Sequence, residues 1–282
     1  MAGSSILRCA LQPVDCRATS SLHVLRLTCS KSHFRPWRPP HSQRHRLGGP
    51  GWPALVHPGG PNGCGKTSLI NLITGYEPAT SGDIQIGEDQ FGNSDWREVR
   101  KRVGLVTNTL TTFIEPGEPV INVIASGREA KLNLWQAPPA AWQRQAATLL
   151  KATGSPHLRK SLWGTLSQGE RQKVLICRAL MAQFTVLILD EPCAGLDPVA
   201  REHFLQWMAE IATWPESPSL VMVTHHVEEI LPCLTHVLLL KDGQVHSQGE
   251  KADILTSDSL SEIYGAPVEL EERGDRYALV VG

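Results

Sequence analysis

The sequence has no long apolar runs, no large excess of charge of either sign and no paired cysteine motifs. No stretch of about 18 consecutive apolar residues occurs, so no segment is predicted to span a bilayer as a helix. The formal net charge is only −1, which favours neither a nucleic acid nor a membrane surface as a partner. The seven cysteines are odd in number and lack zinc-ligand spacing, so we interpret them as reduced cytosolic thiols.

Acidic residues are nearly absent from the first 57 positions. Residues 1–57 contain eight Lys or Arg and one acid, Asp15, whereas residues 58–282 contain 19 basic and 27 acidic residues. The first segment is broken by prolines, and only residues 22–28 alternate like a strand. Two interpretations stay open. One is an Arg- and Ser-rich targeting leader, and the other, which the prolines favour, is a disordered or altered, out-of-frame start joined to an intact domain over residues 58–282.

Strand patterns alternate with helical patterns through the rest of the chain, without internal repeats. Residues 186–189 and 220–223 are continuous apolar runs, which suit parallel strands covered on both faces. Further strands are predicted over residues 54–56, 83–86 (as an edge strand), 103–106 and, as a hairpin, 237–245. Helices are predicted over residues 68–75, 120–126, 140–152 and 172–181. This alternation predicts a layered α/β domain.

A glycine-rich loop lies between the first of these strands and the first helix. It reads Gly60-Pro61-Asn62-Gly63-Cys64-Gly65-Lys66-Thr67, followed by Ser68, and fits G-x-x-x-x-G-K-[ST]. The glycines allow backbone N–H groups to turn toward phosphates, and the helix that follows directs its positive end at the same anion. Lys66 is expected to reach the β- and γ-phosphates and Thr67 to ligate Mg²⁺. Residues 60–68 are therefore predicted to bind a nucleotide.

Two acidic residues end the buried run at residues 186–189. Asp190 is expected to hold Mg²⁺ from outside the ion's inner ring of ligands or through water, and Glu191 to orient and polarise the attacking water. A general base of this kind contributes roughly 10²–10⁴-fold to a rate. The pair therefore predicts nucleotide hydrolysis in addition to binding.

The run Leu166-Ser167-Gln168-Gly169-Glu170-Arg171-Gln172 resembles the Leu-Ser-Gly-Gly-Gln signature of ABC ATPases. Gln168 and Glu170 depart from that pattern, whereas Ser167 and Gly169 keep it. Two further matches follow in the family's order. Asp197 lies in a segment that resembles the family's D-loop, and His225 ends a strand, as the family's switch histidine does. A histidine there can hydrogen-bond the γ-phosphate and sense its loss.

The resemblance covers about residues 55–282 and implies a P-loop NTPase of the α/β class. Its ABC-type ATP-binding core would comprise residues 58–109 and 166–282, with an inserted α-helical subdomain over residues 110–165 and incomplete N-terminal antiparallel strands. It further implies ATP and Mg²⁺ as cofactors and a homodimer that shares two ATP sites, in which Ser167 to Glu170 complete the site of the opposite subunit. Membrane permease subunits would dock on the helical subdomain, so the chain would be cytoplasmic or peripheral on the inner face of the plasma membrane. The sub-family resemblance is to iron-complex and molybdate importers.

Two departures from the family bear on the ATP site. Asn108 stands where the family has a glutamine that ligates Mg²⁺, and its shorter stem leaves the amide oxygen about one bond short of an ion that demands near-ideal octahedral geometry. The aromatic residue that stacks on adenine has no clear counterpart, with Phe34 and Trp37 as the candidates.

Two alternatives to a transport subunit also remain. A soluble ABC ATPase that acts on nucleic acid or ribosomes would have the same motifs, although residues 58–282 show no basic stripe and no tandem second cassette follows, so no nucleic-acid partner is expected. A defective product that binds ATP poorly because its start is altered is the other alternative.

Overall fold

The computed structural model describes residues 25–29, 52–56, 66–75, 77, 82–86, 89–182, 184, 186–213, 219–242 and 244–282. The first two strands and residues 66–68 are described by their backbone alone. The strands, in chain order, are β1 (Leu25–Cys29), β2 (Trp52–Val56), β3 (Gly82–Ile86), β4 (Asp89–Gln90), β5 (Val103–Thr107), β6 (Val186–Asp190), β7 (Ser219–Thr224), β8 (Leu234–Lys241), β9 (Gln244–Glu250), β10 (Val268–Arg273) and β11 (Arg276–Val281). The helices are α1 (Lys66–Thr74), α2 (Trp96–Lys101), α3 (Val120–Ser126), α4 (Ala140–Ala152), α5 (Gln168–Met181), α6 (Pro198–Ala212), α7 (Lys251–Ile254) and α8 (Ser257–Tyr264).

A six-stranded sheet in the order β5-β6-β7-β2-β8-β9 forms the centre of the molecule. Its first five strands are parallel, and β9 runs antiparallel to β8 in the predicted hairpin. Alternate side chains of β5, β6, β7 and β8 enter different cores. On β6, Leu187 and Leu189 pack with the helical side of the molecule, whereas Val186 and Ile188 pack with α1, α2 and β3. Burial on both faces is the reason that these strands are continuous apolar runs.

The register of the central sheet brings the ends of four strands to one edge. Thr107 on β5 lies opposite Asp190 on β6, which in turn lies opposite Val223 on β7. Val56, the last residue of β2, lies opposite Thr224. Because ligands of open α/β sheets bind beyond the carboxyl ends of the strands, this edge is the place to look for the site.

A second, antiparallel sheet has the order β1-β3-β4 among the described residues. The prediction of β3 as an edge strand was wrong, since β1 pairs with its other side. Residues 22–28 had the pattern for that partner, and five residues from 25 onward form it. Both β1 and β2 fall within residues 1–57. That this segment is a leader or an altered start stays a prediction.

The residues predicted as an inserted helical subdomain contain α3 and α4, which have the predicted bounds and pack against α5. Helix α5 begins at Gln168, four residues before its predicted start. The reason is a capping box, in which the Ser167 and Glu170 side chains each accept a hydrogen bond from the other's backbone N–H. Within the described ranges, no helix is both long enough and apolar enough to cross a membrane.

Candidate active site

Helix α1 starts at Lys66, so Lys66, Thr67 and Ser68 form its first turn, as the phosphate-loop pattern requires. No acidic residue lies in that turn, and the positive end of the helix is therefore not neutralised there. The loop residues Gly60, Pro61, Asn62, Gly63, Cys64 and Gly65 lie outside the described residues, as do the adenine candidates Phe34 and Trp37. Along the chain, α1 is the next described element after β2, which neighbours β7 in the sheet.

Asp190 is the last residue of β6 and is half-buried. Its Oδ2 accepts a hydrogen bond of 2.9 Å from the hydroxyl of Thr107 on β5, a side chain that is itself buried. Sequence reasoning missed Thr107, because only the register of β5 against β6 brings the two residues together. The hydrogen bond orients the carboxylate at the edge where the strands end.

Glu191 adopts a left-handed backbone conformation, with φ of 46°, directly after β6. Such a conformation costs a non-glycine residue of the order of 1–3 kcal/mol and is held only by its surroundings. Here the Glu191 N–H donates to the Val223 carbonyl at 2.8 Å, across the neighbouring strand. The carboxylate is thereby turned toward His225, whose Nδ1 lies 3.2 Å from Glu191 Oε1.

His225 follows β7 and is partly exposed, like Glu191. The ring of His226, to which no role was assigned from the sequence, lies 4.0 Å from the His225 ring between centroids. The Tyr264 hydroxyl at the end of α8 donates to the His225 carbonyl oxygen at 3.5 Å. The C-terminal part of the chain therefore contacts the backbone that carries the histidine.

Asn108 comes directly after Thr107 and begins a 3-10 turn, Asn108–Phe113, where it is half-buried. Its backbone therefore lies beside the end of β6. Of the predicted Mg²⁺ ligands, Asp190 ends β6 and Asn108 follows β5 at the same edge of the sheet, whereas Thr67 lies in the first turn of α1. Hydroxyl, carboxylate and amide oxygens are the hard ligands that Mg²⁺ prefers, so the donor set fits this ion.

The signature segment forms the first turn of α5, with Ser167 and Gln168 exposed and Gly169 half-buried. The Ser167 hydroxyl donates to Glu170 Oε2 at 2.7 Å, and the Ser167 N–H donates to the same oxygen at 2.9 Å. These two hydrogen bonds, and a weaker contribution from His157, lower the pKa of Glu170 below its ordinary value. Glu170 departs from the family pattern, and its ionised carboxylate is therefore hydrogen-bonded to Ser167, which keeps the pattern.

Replacing Glu170 by Gln should make the melting temperature less sensitive to acid. A carboxylate whose folded-state pKa is lowered stabilises the fold above its unfolded pKa, about 4.5, and that stabilisation is lost as pH falls through the lower folded pKa. Gln can complete the capping box but cannot titrate. Thermal melts at about pH 7 and about pH 3.5 would measure the difference. Glu210→Gln, at an exposed position on α6, is the matched control, and equal acid sensitivity of Glu170→Gln and wild type would contradict the assignment.

Asp197 caps α6 by accepting hydrogen bonds from the N–H groups of Val199 and Ala200, at 2.9 and 3.0 Å. These bonds lower the pKa of its carboxyl group. Two residues earlier, Gly195 has φ of 77°, and a Cβ atom there would lie 2.9 Å from Gln168 Cγ. The D-loop and the signature segment of one chain are thus in direct contact, and only glycine permits that approach.

Comparison with known proteins shows which family the chain is similar to. A sequence model of the family described as ABC transporter matches residues 55–194. An uncharacterized ABC transporter ATP-binding protein, YlmA of Bacillus subtilis, is 39% identical over 77% of this chain and 83% of its own length. The ferric enterobactin transport ATP-binding protein FepC of Escherichia coli is 27% identical over 73% of this chain and 75% of its own. The dimeric structure of MJ0796, a bacterial ABC transporter cassette, superposes with a TM-score of 0.62 at 18% identity, over 82% of this chain and 96% of that one.

Proposed function

The chain belongs to the ATP-binding proteins of ABC transporters, a family that hydrolyses ATP, and we propose that it powers an importer-like system as one half of a homodimer. The observation that carries this proposal is the contact between Glu191 and His225 at the sheet edge where β2 also ends. A carboxylate and a histidine meet at that edge, and β2, the strand that precedes the phosphate-loop sequence, ends there too, which supports a site for ATP hydrolysis.

Each candidate residue then has a definite task. The first turn of α1, with Lys66 and Thr67, binds the phosphates, and Glu191 accepts a proton from the attacking water. Thr67, Asp190 and Asn108 would hold the Mg²⁺ that accompanies ATP, and the ion would neutralise phosphate charge. With Nδ1 of His225 held by Glu191, Nε2 across the ring is the nitrogen that would face a γ-phosphate oxygen. Loss of that phosphate removes the contact, which gives the histidine its role as a sensor.

The exposure of the signature segment supports the dimer. Ser167 and Gln168 lie on the surface at the start of α5, where they can meet a second copy of the chain. Ser167 of one protomer would face Lys66 and Thr67 of its partner. Closure on ATP and reopening after hydrolysis would then drive the transport partner, since ATP binds the closed state better. Mg²⁺, the homodimer and a location at the cytoplasmic face of a membrane all belong to this proposal.

Exposed aromatic residues on the helical subdomain support docking to a membrane permease. Trp135 is fully exposed and Phe113 is 60% exposed. Asn133 ties their two segments together, because its Nδ2 donates to the Phe113 carbonyl at 2.6 Å and its Oδ1 accepts from the Glu115 N–H at 3.2 Å. Aromatic side chains are the common anchors of protein interfaces. Phe113 also ends the 3-10 turn that starts at Asn108, so a docked partner would be connected to the ATP site.

The double variant Phe113→Ala/Trp135→Ala tests this proposal. Losing one aromatic anchor costs roughly 2 kcal/mol or more, so removal of both should lower permease affinity by at least about 30-fold while the ATP affinity of the isolated chain is unchanged. The measurement is the amount of chain that co-purifies with a polytopic protein from membranes of the source cells. Val280→Ala/Val281→Ala, which truncates exposed apolar residues of β11, is the matched control.

Three outcomes are informative. Loss of the membrane-bound fraction in the aromatic variant alone supports docking through this surface. Equal loss in both double variants, or in neither, contradicts this surface. If wild-type protein never co-purifies with a membrane protein and instead binds RNA or DNA in a salt-sensitive manner, the transport role is wrong.

A further inference from the structure

A buried carboxylate lies beneath the loop that carries His225. Glu229 is 2% exposed and ends the 3-10 turn Val227–Glu229, four residues after the histidine. Burial of a carboxylate is costly unless hydrogen bonds compensate for the lost hydration. The proposed hydrolysis mechanism gives Glu229 no task, so its burial calls for a reason.

The hydroxyl of Thr224 is the hydrogen-bond partner of Glu229. Thr224 Oγ1 donates to Glu229 Oε2 at 2.6 Å, and the Thr224 side chain is also buried. Thr224 Oγ1 in turn accepts a hydrogen bond of 3.1 Å from the backbone N–H of His226. The residues on both sides of His225 are therefore connected to one carboxylate, which restricts the backbone conformations open to the histidine.

Glu229 also acts electrostatically on the segment that follows Glu191. Burial is the main reason that the pKa of the Cys193 thiol is raised, and the negative charge of Glu229 is the next largest. Cys193 is two residues after Glu191 and is itself buried. The Glu229 carboxylate is thus hydrogen-bonded to the segment that carries His225 and coupled electrostatically to the segment that follows Glu191.

We infer that Glu229 is a positioning residue for His225, acting through the Thr224 hydroxyl to keep Nδ1 within hydrogen-bond distance of Glu191. The inference deepens the proposed function and rests on the roles given there to His225 and Glu191. Glu229 contacts neither ATP nor the reacting atoms in this account. Its effect should therefore appear in turnover and not in ATP binding.

Glu229→Ala should lower kcat by about 10- to 100-fold, since misplacing a catalytic group by about 1 Å can cost about 100-fold. KM for ATP should stay nearly constant, because the phosphate-binding turn of α1 is untouched. Thr224→Val, which removes the hydroxyl, should have the same effect, whereas Thr224→Ser, which keeps it, should preserve most of the turnover. Glu228→Ala, on the same turn but half-exposed, is the matched control.

The decisive comparison uses the double variant His225→Ala/Glu229→Ala of the full chain. If Glu229 acts through His225, this variant should turn over ATP no more slowly than His225→Ala alone. Should Glu229→Ala fail to fold, His225→Ala/Thr224→Val provides the same comparison. Melting temperatures measured alongside separate turnover from stability.

If the turnover losses of His225→Ala and Glu229→Ala multiply in the double variant, the positioning role is overturned and the proposed function stays intact. If Glu229→Ala left both kcat and KM unchanged and lowered only the melting temperature, the positioning role would be overturned as well, because Glu229 would then be purely structural. Undiminished turnover in His225→Ala, by contrast, would remove the sensor role itself and the inference with it.

Discussion

Glu191→Gln is expected to reduce ATP turnover by about 100- to 10,000-fold and to leave a dimer that retains ATP. The amide has the shape of the carboxylate and can still hydrogen-bond His225, but it cannot accept a proton from water. ATP binding depends on α1, so it should persist and hold two chains together. Phosphate release and size-exclusion chromatography with ATP would measure the two effects, with Glu210→Gln as the matched control.

The backbone of Glu191 makes this prediction specific to its position. Its left-handed conformation, held by the hydrogen bond to the Val223 carbonyl, directs the side chain toward His225. Strain of this kind is typical of sites where function requires a particular direction. Undiminished turnover in Glu191→Gln would exclude the residue as the base, and an active monomer with bound ATP would contradict the shared-site dimer.

Gly127→Ala should produce a large loss of stability. Gly127 directly follows α3, and a Cβ atom there would lie 1.9 Å from the backbone carbonyl oxygen of Arg178 on α5. A backbone atom cannot move aside as a flexible side chain can. Overpacking costs about 1–3 kcal/mol, sometimes more, and each kcal/mol lowers the melting temperature of a domain of this size by about 2–4 °C.

Gly117→Ala is the control for this substitution, because a Cβ atom at Gly117 would meet nothing within 4 Å. Thermal melts of the two variants measure the cost of the contact directly. Arg178 also holds the junction, since its Nε donates to Ser126 Oγ at 3.3 Å and its Nη2 to the Lys131 carbonyl at 2.8 Å. Because α5 begins at the signature segment, Gly127→Ala should also lower turnover. Equal melting temperatures for the two glycine variants would show that α3 can shift away from α5 at little cost.

Some errors of the sequence-based account had a signal that could have prevented them. The start of α5 at Gln168 follows from the Ser-x-x-Glu capping pattern of Ser167 and Glu170, which is visible in the sequence. The central position of β3 had a weaker signal in the strand-like alternation of residues 22–28. That pattern lay in a proline-rich, acid-poor segment, and it carried no information on which strand would pair with it.

The sequence by itself determined the elements whose physical requirements are local. Residues 186–189 and 220–223 had to be buried strands because both faces are apolar, and α3 and α4 could be placed within their observed bounds. The glycine-rich turn, the acidic strand end and the signature segment are each contiguous in the chain. The family and its ATP chemistry could therefore be predicted before any coordinates were considered.

Only the tertiary structure decided which side chains meet. Thr107 and Asp190 are 83 residues apart, and Glu191 and His225 are 34 apart. These pairs depend on the order and register of β5, β6 and β7, and local propensity carries no information on either. The link from Glu229 through Thr224 to the histidine loop depends in addition on burial, which belongs to the packed molecule. Hydrogen bonds between distant residues are set by the whole sheet and its two cores. The complete set of site contacts therefore follows only from the folded structure.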